Sequence, residues 1–468
     1  MRKLLVLTAA LSMGVSLQAA VPQSITEMVE AGEFSQVEFL LKNKQEFSAY
    51  EKDSVLSIME RIRRDFRVPF VDGVRQIQEK YPHVTEELVS VWEKNNYIET
   101  KVIDGQKYMF RKSVSNLERL VPELSGMKRA EERSAVELYA GCARVAIADC
   151  GGELFLSKPQ RVTVKFTIDV NADVVPAGEK IRVWMPYPLE SVRQRNVRLV
   201  SSSDDVTMSD GSIHNSLYME RCAESGKPAH FEAVYSYDVY AQFFSREYLL
   251  SHLKPYDRTS ELYRRYTADE APQIYLTPQM KRQAALIVGR ETNPVKQASL
   301  IYDWINAHFP WAGAREYSTI PNLAQYTYER GYGDCGQVSL LYITLLRSVG
   351  IPARWESGWM LHPGREGMHD WAEVYYEGIG WVPVDMSFGL LEVDDISDVV
   401  NFYKSGIDNY RMAVNRGVGG CFSPKKDYVR SETVDFQLGE VEWKGGNLFY
   451  YQDWTPSFEI LRIDKAVD

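Results

Sequence analysis

The 468-residue sequence is poor in the residues that build metal centres and disulfide frameworks. Its five cysteines contain no Cys-x-x-Cys and its seven histidines are scattered without ligand spacing, so a zinc module is not expected and no cofactor is implied. Glu392, Asp394, Asp395 and Asp398 lack the spacing of a calcium loop and read as a solvated surface. Basic residues are in deficit: 54 Lys and Arg stand against 64 Asp and Glu, a net charge of −10 that argues against a nucleic-acid partner. Beyond the first twenty residues no apolar run is long enough to span a bilayer, so no transmembrane segment is expected. Internal repeats and low-complexity tracts are missing as well. What remains is an ordinary folded composition, 45% hydrophobic and 25% charged, in a chain too long for one core and suited to three or four domains.

The chain opens Met1-Arg2-Lys3, runs apolar from Leu4 to Leu17 and reaches the small residues Ala19 and Ala20. That pattern predicts a secretory signal peptide over residues 1–20 and an exported protein, periplasmic or extracellular. Loss of Arg2 and Lys3 leaves 52 basic against 64 acidic side chains, a net charge of −12. In an oxidising compartment Cys142, Cys150, Cys222 and Cys421 permit two disulfides in three connectivities, with Cys142 and Cys150 the nearest pair. Four reduced, buried thiols fit equally well.

Changes of hydrophobic period divide the rest into an α+β, multi-domain chain. Residues 21–157 read as mainly helical, with Ser24-Ile25-Thr26-Glu27 as a capped start and Asp104-Gly105 as the turn of a small hairpin. Helices with a hairpin wing invite a DNA-binding reading, which export and acidity turn into a scaffold or partner-binding one. From 158 to 255 the period becomes two, over Arg161–Ile168, Ile181–Pro186 and Ala233–Tyr240, as in a β-sandwich-like domain. Residues 256–415 carry the chemistry discussed next. Residues 416–468 read as a C-terminal β segment packing on the preceding domains, with closing strands at Val441–Gly446 and Phe449–Tyr451.

Cys335 stands between the glycine-bracketed turn Gly331-Tyr332-Gly333-Asp334 and an apolar helix. Val338, Leu341, Tyr342, Leu345, Leu346 and Val349 recur at helical spacing as one buried face, and Gly350-Ile351-Pro352 ends the run. With Asp334 as N-cap, Cys335 falls in the first turn, where the helix dipole favours a negative sulfur and backbone N–H groups can serve an oxyanion. Downstream lie His369 and Asp385, sixteen residues apart on two strand-like segments around Glu377-Gly378-Ile379-Gly380. A three-residue loop pairs Tyr376 with Gly380, sets Trp371 opposite Asp385 and brings His369 diagonally beside Asp385; a two-residue loop puts them on opposite faces. A cysteine nucleophile, a histidine base and an orienting carboxylate are the parts of a catalytic triad. His362, in a turn, is the rival base. Asp370 is the rival orienter, though alternation turns it away from the face of His369. Trp359, Trp371 and Trp381 read as core residues.

The linked segments Gly333-Asp334-Cys335-Gly336, Leu345–Arg354, His369-x-Trp371-x-Glu373-Val374-Tyr375 and Gly380–Asp385 resemble the transglutaminase-like superfamily in order and spacing. The resemblance covers roughly residues 285–410. It implies a papain-like fold with Cys335 as nucleophile, His369 as base and Asp385 as orienting residue, and a peptide or protein substrate. The second oxyanion donor is left open among Trp311, Gln325 and Tyr326. With no amine-binding acidic cluster evident near the motif, hydrolysis of an amide or peptide bond is favoured. A protein-crosslinking acyltransferase and a non-catalytic binding module are the alternatives, with a cell-envelope component as candidate partner.

Overall fold

A computed structural model of the protein describes residues 21–44, 46–124, 128–209 and 213–465. The signal-peptide expectation lies outside these residues. The architecture is α+β, with a helical unit, two β-sheets sharing a core, and a helix-covered four-stranded sheet.

The helical unit runs from Gln23–Ala31 to Lys128–Asp149. Its first helix starts earlier than the Ser24 cap reading requires: Pro22 occupies the N-cap position and no side chain caps the helix. The capping box belongs to a later helix, Ala49–Asp65, where Ser48 and Glu51 satisfy each other's backbone N–H groups. Asp104 and Gly105 close the hairpin between Thr100–Ile103 and Gln106–Met109 with Ile103 opposite Gln106. Both turn residues have positive φ, 48° and 81°, as a two-residue turn matched to strand twist demands.

Five strands form one sheet of the middle region and four form the other, and their apolar faces share one core. The C-terminal residues complete both sheets. Glu440–Trp443 pairs with Lys180–Pro186, and Trp454–Lys465 pairs along the whole length of Gln160–Val170. Phe449–Tyr451 is a turn rather than the expected strand, with Tyr451 at φ 62°. The long closing strand contains Pro456, which reads as a breaker in sequence and is accommodated because the strand lies at the sheet edge.

The remaining sheet has the order Gly380–Val384, Gly367–Tyr376, Ala353–Met360, Arg411–Asn415. Cys335–Ser348 packs on it, with Pro278–Val288, Pro294–His308 and Leu323–Arg330 around that helix. Every residue from Gly336 to Arg347 is buried, so the helix is central rather than one-faced. Even Arg347 is inside, donating to Ala353 O at 2.9 Å and to Glu270 Oε2 at 2.8 Å. The helix closes at Gly350, φ 78°, whose N–H reaches Arg347 O while that of Ile351 reaches Leu346 O.

Candidate active site

Asp334 caps the central helix and sets Cys335 as its first residue. Its carboxylate accepts the Gln337 N–H at 3.3 Å, and Gln337 Oε1 accepts the Asp334 N–H at 3.1 Å. Across the sheet the hairpin adopts the three-residue loop: Tyr376 pairs with Gly380 and Ala372 with Val384, which carries Asp385 to the level of Trp371. His369 and Asp385 therefore meet, Nε2 to Oδ2, at 2.7 Å, with both side chains buried. Asp385 is further fixed by the Ser387 N–H on Oδ1 at 3.1 Å and by Arg411 Nη2 on Oδ2 at 3.0 Å. With Nε2 facing the carboxylate, Nδ1 is the ring nitrogen left for a proton transfer.

The third residue meets a different partner. Cys335 Sγ donates to Asp370 Oδ2 at 3.3 Å, and among the hydrogen bonds of the described residues none joins it to His369. Asp370 does not join Asp385, as expected, but its carboxyl group is the one that Cys335 Sγ meets. Gln437 holds this arrangement, its Nε2 donating to Asp370 Oδ1 at 2.8 Å and to His369 O at 3.1 Å. Tyr317 covers the same turn and donates its hydroxyl to Asp334 Oδ1.

These neighbours reverse the expected acidity of the thiol. Burial first, then the Asp370 and Asp334 carboxylates, push the Cys335 thiol well above its ordinary range. The helix N-terminus favours thiolate, but burial and two acids act against it. Burial also raises Asp370 well above the usual carboxylate range, reinforced by Asp435 and Asp334. Asp435 itself is pushed up to about 7 by burial and by Glu316. Acidic groups thus lie beside the motif, where the sequence made none evident, because Asp370 folds back on Cys335 and residue 435 reaches it only through the tertiary fold.

His362 lies apart from the sulfur in a second histidine–carboxylate pair, Nε2 to Asp408 Oδ2 at 3.2 Å. Arg411 Nη2 reaches that same oxygen at 3.2 Å, so one guanidinium spans Asp385 and Asp408. Burial alone would raise Asp408; Arg411 and His362 outweigh it and hold the carboxylate far below its usual range. Arg411, Asp408 and Gln437 carry no motif, and sequence reasoning passes over them. Of the three oxyanion candidates, Gln325 bonds Gln279 and Glu329, and Tyr326 bonds Glu99. Trp311 instead lines a cavity of about 150 Å³ with Gly333, Val338, Met386 and Phe388, between the turn before Cys335 and the segment after Asp385. Trp371 is core and bonds Glu356; Trp359 stacks on Phe458, and Trp381 lies under Arg354.

All five cysteines are free. Cys142 lies on the helix Lys128–Asp149 and Cys150 just past its end. Eight helical positions correspond to about 12 Å, beyond the roughly 7 Å limit for a disulfide, so proximity in sequence misleads here. No helix of the described residues is long and apolar enough to cross a membrane.

Residues 281–386 match the transglutaminase-like superfamily core. An uncharacterized protein of Haemophilus influenzae is 26% identical over 163 residues, 26% of this chain and 40% of that one. The uncharacterized protein YebA of Bacillus subtilis is 33% identical over 79 residues, 14% of this chain and 11% of the relative. The chain thus spans less than half the length of either. Among solved structures, a candidate cysteine protease from Cytophaga hutchinsonii is 14% identical, covering 66% of this chain and 93% of that one at a TM-score of 0.44. The periplasmic domain of TgpA from Pseudomonas aeruginosa, bound to ethylmercury, is 14% identical, covering 49% and 91% at a TM-score of 0.24.

Proposed function

With a transglutaminase-like core over residues 281–386 as premise, we propose that this chain is an exported cysteine enzyme that opens an amide or peptide bond through a thioacyl intermediate on Cys335. The observation that carries the reading is the His369–Asp385 pair at 2.7 Å on the sheet that packs against the helix headed by Cys335. His369 Nδ1 takes the thiol proton as Sγ bonds to the carbonyl carbon, and then delivers it to the leaving amine. Asp385 holds the ring by Nε2 and stabilises the imidazolium that forms. The Cys335 N–H at the helix start is the oxyanion donor. For this chemistry Sγ must leave Asp370 and turn to Nδ1.

Water then releases the acyl group. Hydrolysis is the first reading because two of the nearby acids are occupied: Asp370 by Cys335 and Gln437, Asp334 by Tyr317 and the Gln337 N–H. Transfer to a primary amine is the second, favoured by the acidic surroundings of the sulfur, which suit an ammonium group. Mass analysis of a peptide library incubated with the full chain, with and without a primary amine, separates them. Shorter peptides are expected, lost in Cys335→Ala and reduced at least about 100-fold in His369→Ala. Amine adducts would select transfer. Products that survive in Cys335→Ala would sink the assignment of the nucleophile.

A further inference from the structure

Asp370 plays no part in the proposed triad, yet its carboxylate is the side chain that touches the proposed nucleophile. Its Oδ2 accepts the Cys335 S–H at 3.3 Å, and its Oδ1 is anchored by Gln437 Nε2 at 2.8 Å, so the carboxylate cannot swing away without losing a buried hydrogen bond. Only 2% of Asp370 is exposed. The approach is close enough that Gly336 must lack a side chain, since a Cβ there would fall 2.8 Å from Asp370 Oδ2 and collide with Tyr317.

We propose that Asp370 is the resting partner of Cys335, a positioning residue that holds the sulfur as a thiol on its own Oδ2 until substrate draws it off. This rests on the reading of Cys335 as nucleophile and His369 as base. The groups that face the pair are Asp334 from the helix start, Tyr317 from the short helical turn before it, and Gln437 and Asp435 from the segment between Arg411–Asn415 and Glu440–Trp443. Lys112 acts on Asp334, drawing its carboxyl down against burial. Burial together with Asp370 and Asp334 disfavours a thiolate in this pocket. On engagement the S–H leaves Oδ2 for His369 Nδ1. The proton passes to nitrogen as the S–C bond forms, and Asp370 takes no part in the transfer.

The test is iodoacetamide alkylation of Cys335 in the full chain from pH 5 to 10, followed by peptide mapping, in the wild type and in Asp370→Asn. The carboxamide keeps the Gln437 contact and turns an N–H toward the sulfur. Wild-type Cys335 is expected to react slowly at neutral pH and to accelerate only in the alkaline range. Asp370→Asn should react at least about tenfold faster at pH 7, one unit of thiol acidity being tenfold in thiolate, with its profile moved to lower pH. A purely structural role would alter melting without moving the profile. A folded Asp370→Asn whose profile overlays the wild type overturns the proposal, as does a wild-type Cys335 that alkylates near pH 7 as fast as a free thiolate; the latter measurement needs no variant. Asp370→Ser serves as the second variant should the amide fold poorly. Failure of the triad reading has its own signature: peptide cleavage that persists in His369→Ala while the alkylation shift is still present.

Discussion

Replacing Arg411 with methionine removes the cation that Asp385 and Asp408 share. Arg411 is 3% exposed and its Nη2 lies 3.0 Å from Asp385 Oδ2 and 3.2 Å from Asp408 Oδ2. Leaving buried charges unpaired typically costs about 3–5 kcal/mol. Two features lower the figure here. Arg411 Nε and Nη1 make no hydrogen bond, a desolvation cost that methionine relieves, and the methionine stem preserves packing on Phe388. The expected loss at pH 7 is therefore at the low end, about 3 kcal/mol. The pH dependence carries a sign. Asp408 is held below its ordinary value, so its contribution is present above the unfolded carboxylate pKa of about 3.9 and is lost as pH falls toward the folded value. Without Arg411 burial dominates and pushes the Asp408 carboxyl up, so the variant regains stability as that carboxyl protonates and the gap to wild type should narrow from pH 7 to pH 4. Urea unfolding followed by tryptophan fluorescence at the two pH values measures it, Trp371 reporting on the same sheet. A cycle with Asp408→Asn should show a coupling of at least about 1 kcal/mol. A loss below about 1 kcal/mol at pH 7, or one unchanged at pH 4, refutes the shared-cation account.

Asp435→Asn should act in the opposite sense. Burial beside Glu316 pushes Asp435 up to about 7, whereas the unfolded chain ionises near 3.9. Between those values the unfolded state releases the proton first and wild-type stability falls as pH rises. The amide should therefore stabilise the protein at pH 8 by an amount bounded at about 4 kcal/mol, with little gain at pH 4; equal melting temperatures for variant and wild type at pH 8 would contradict this. Gly358→Ala should destabilise by at least about 2 kcal/mol, because a Cβ there would strike the Met412 carbonyl at the irregularity between Ala353–Met360 and Arg411–Asn415. The same variant should lower peptide cleavage through the displaced Arg411, and a melting temperature within a degree of wild type would dismiss the clash.

Much of the candidate site is legible in the sequence because it is local. The Asp334 cap, the helix stop at Gly350 and the turn around Gly378 each depend on backbone hydrogen bonds between near neighbours, and residue type reports on those directly, whereas the register of the hairpin stood open between a two- and a three-residue loop. Edge strands are less legible: Trp454–Lys465 hides behind Pro456, whose missing N–H matters less where one side of a strand has no partner. Arg411, Asp408 and Gln437 are invisible for another reason. Each is an ordinary polar residue whose role exists only once folding buries it against partners far away in the chain.

Cys335 marks the boundary between the two kinds of information. The amino-acid order by itself determined that this cysteine heads a helix, since a cap is a short-range device, and reduced the meeting of His369 with Asp385 to a choice of loop length that the folded hairpin made as three residues. What surrounds the sulfur was decided by tertiary structure alone: Asp370 comes from 35 residues away, and Gln437 reaches Asp370 across another 67. Burial among those groups turned an expected thiolate into a thiol, because the cost of a buried charge depends on every neighbour in space and on none in particular along the chain.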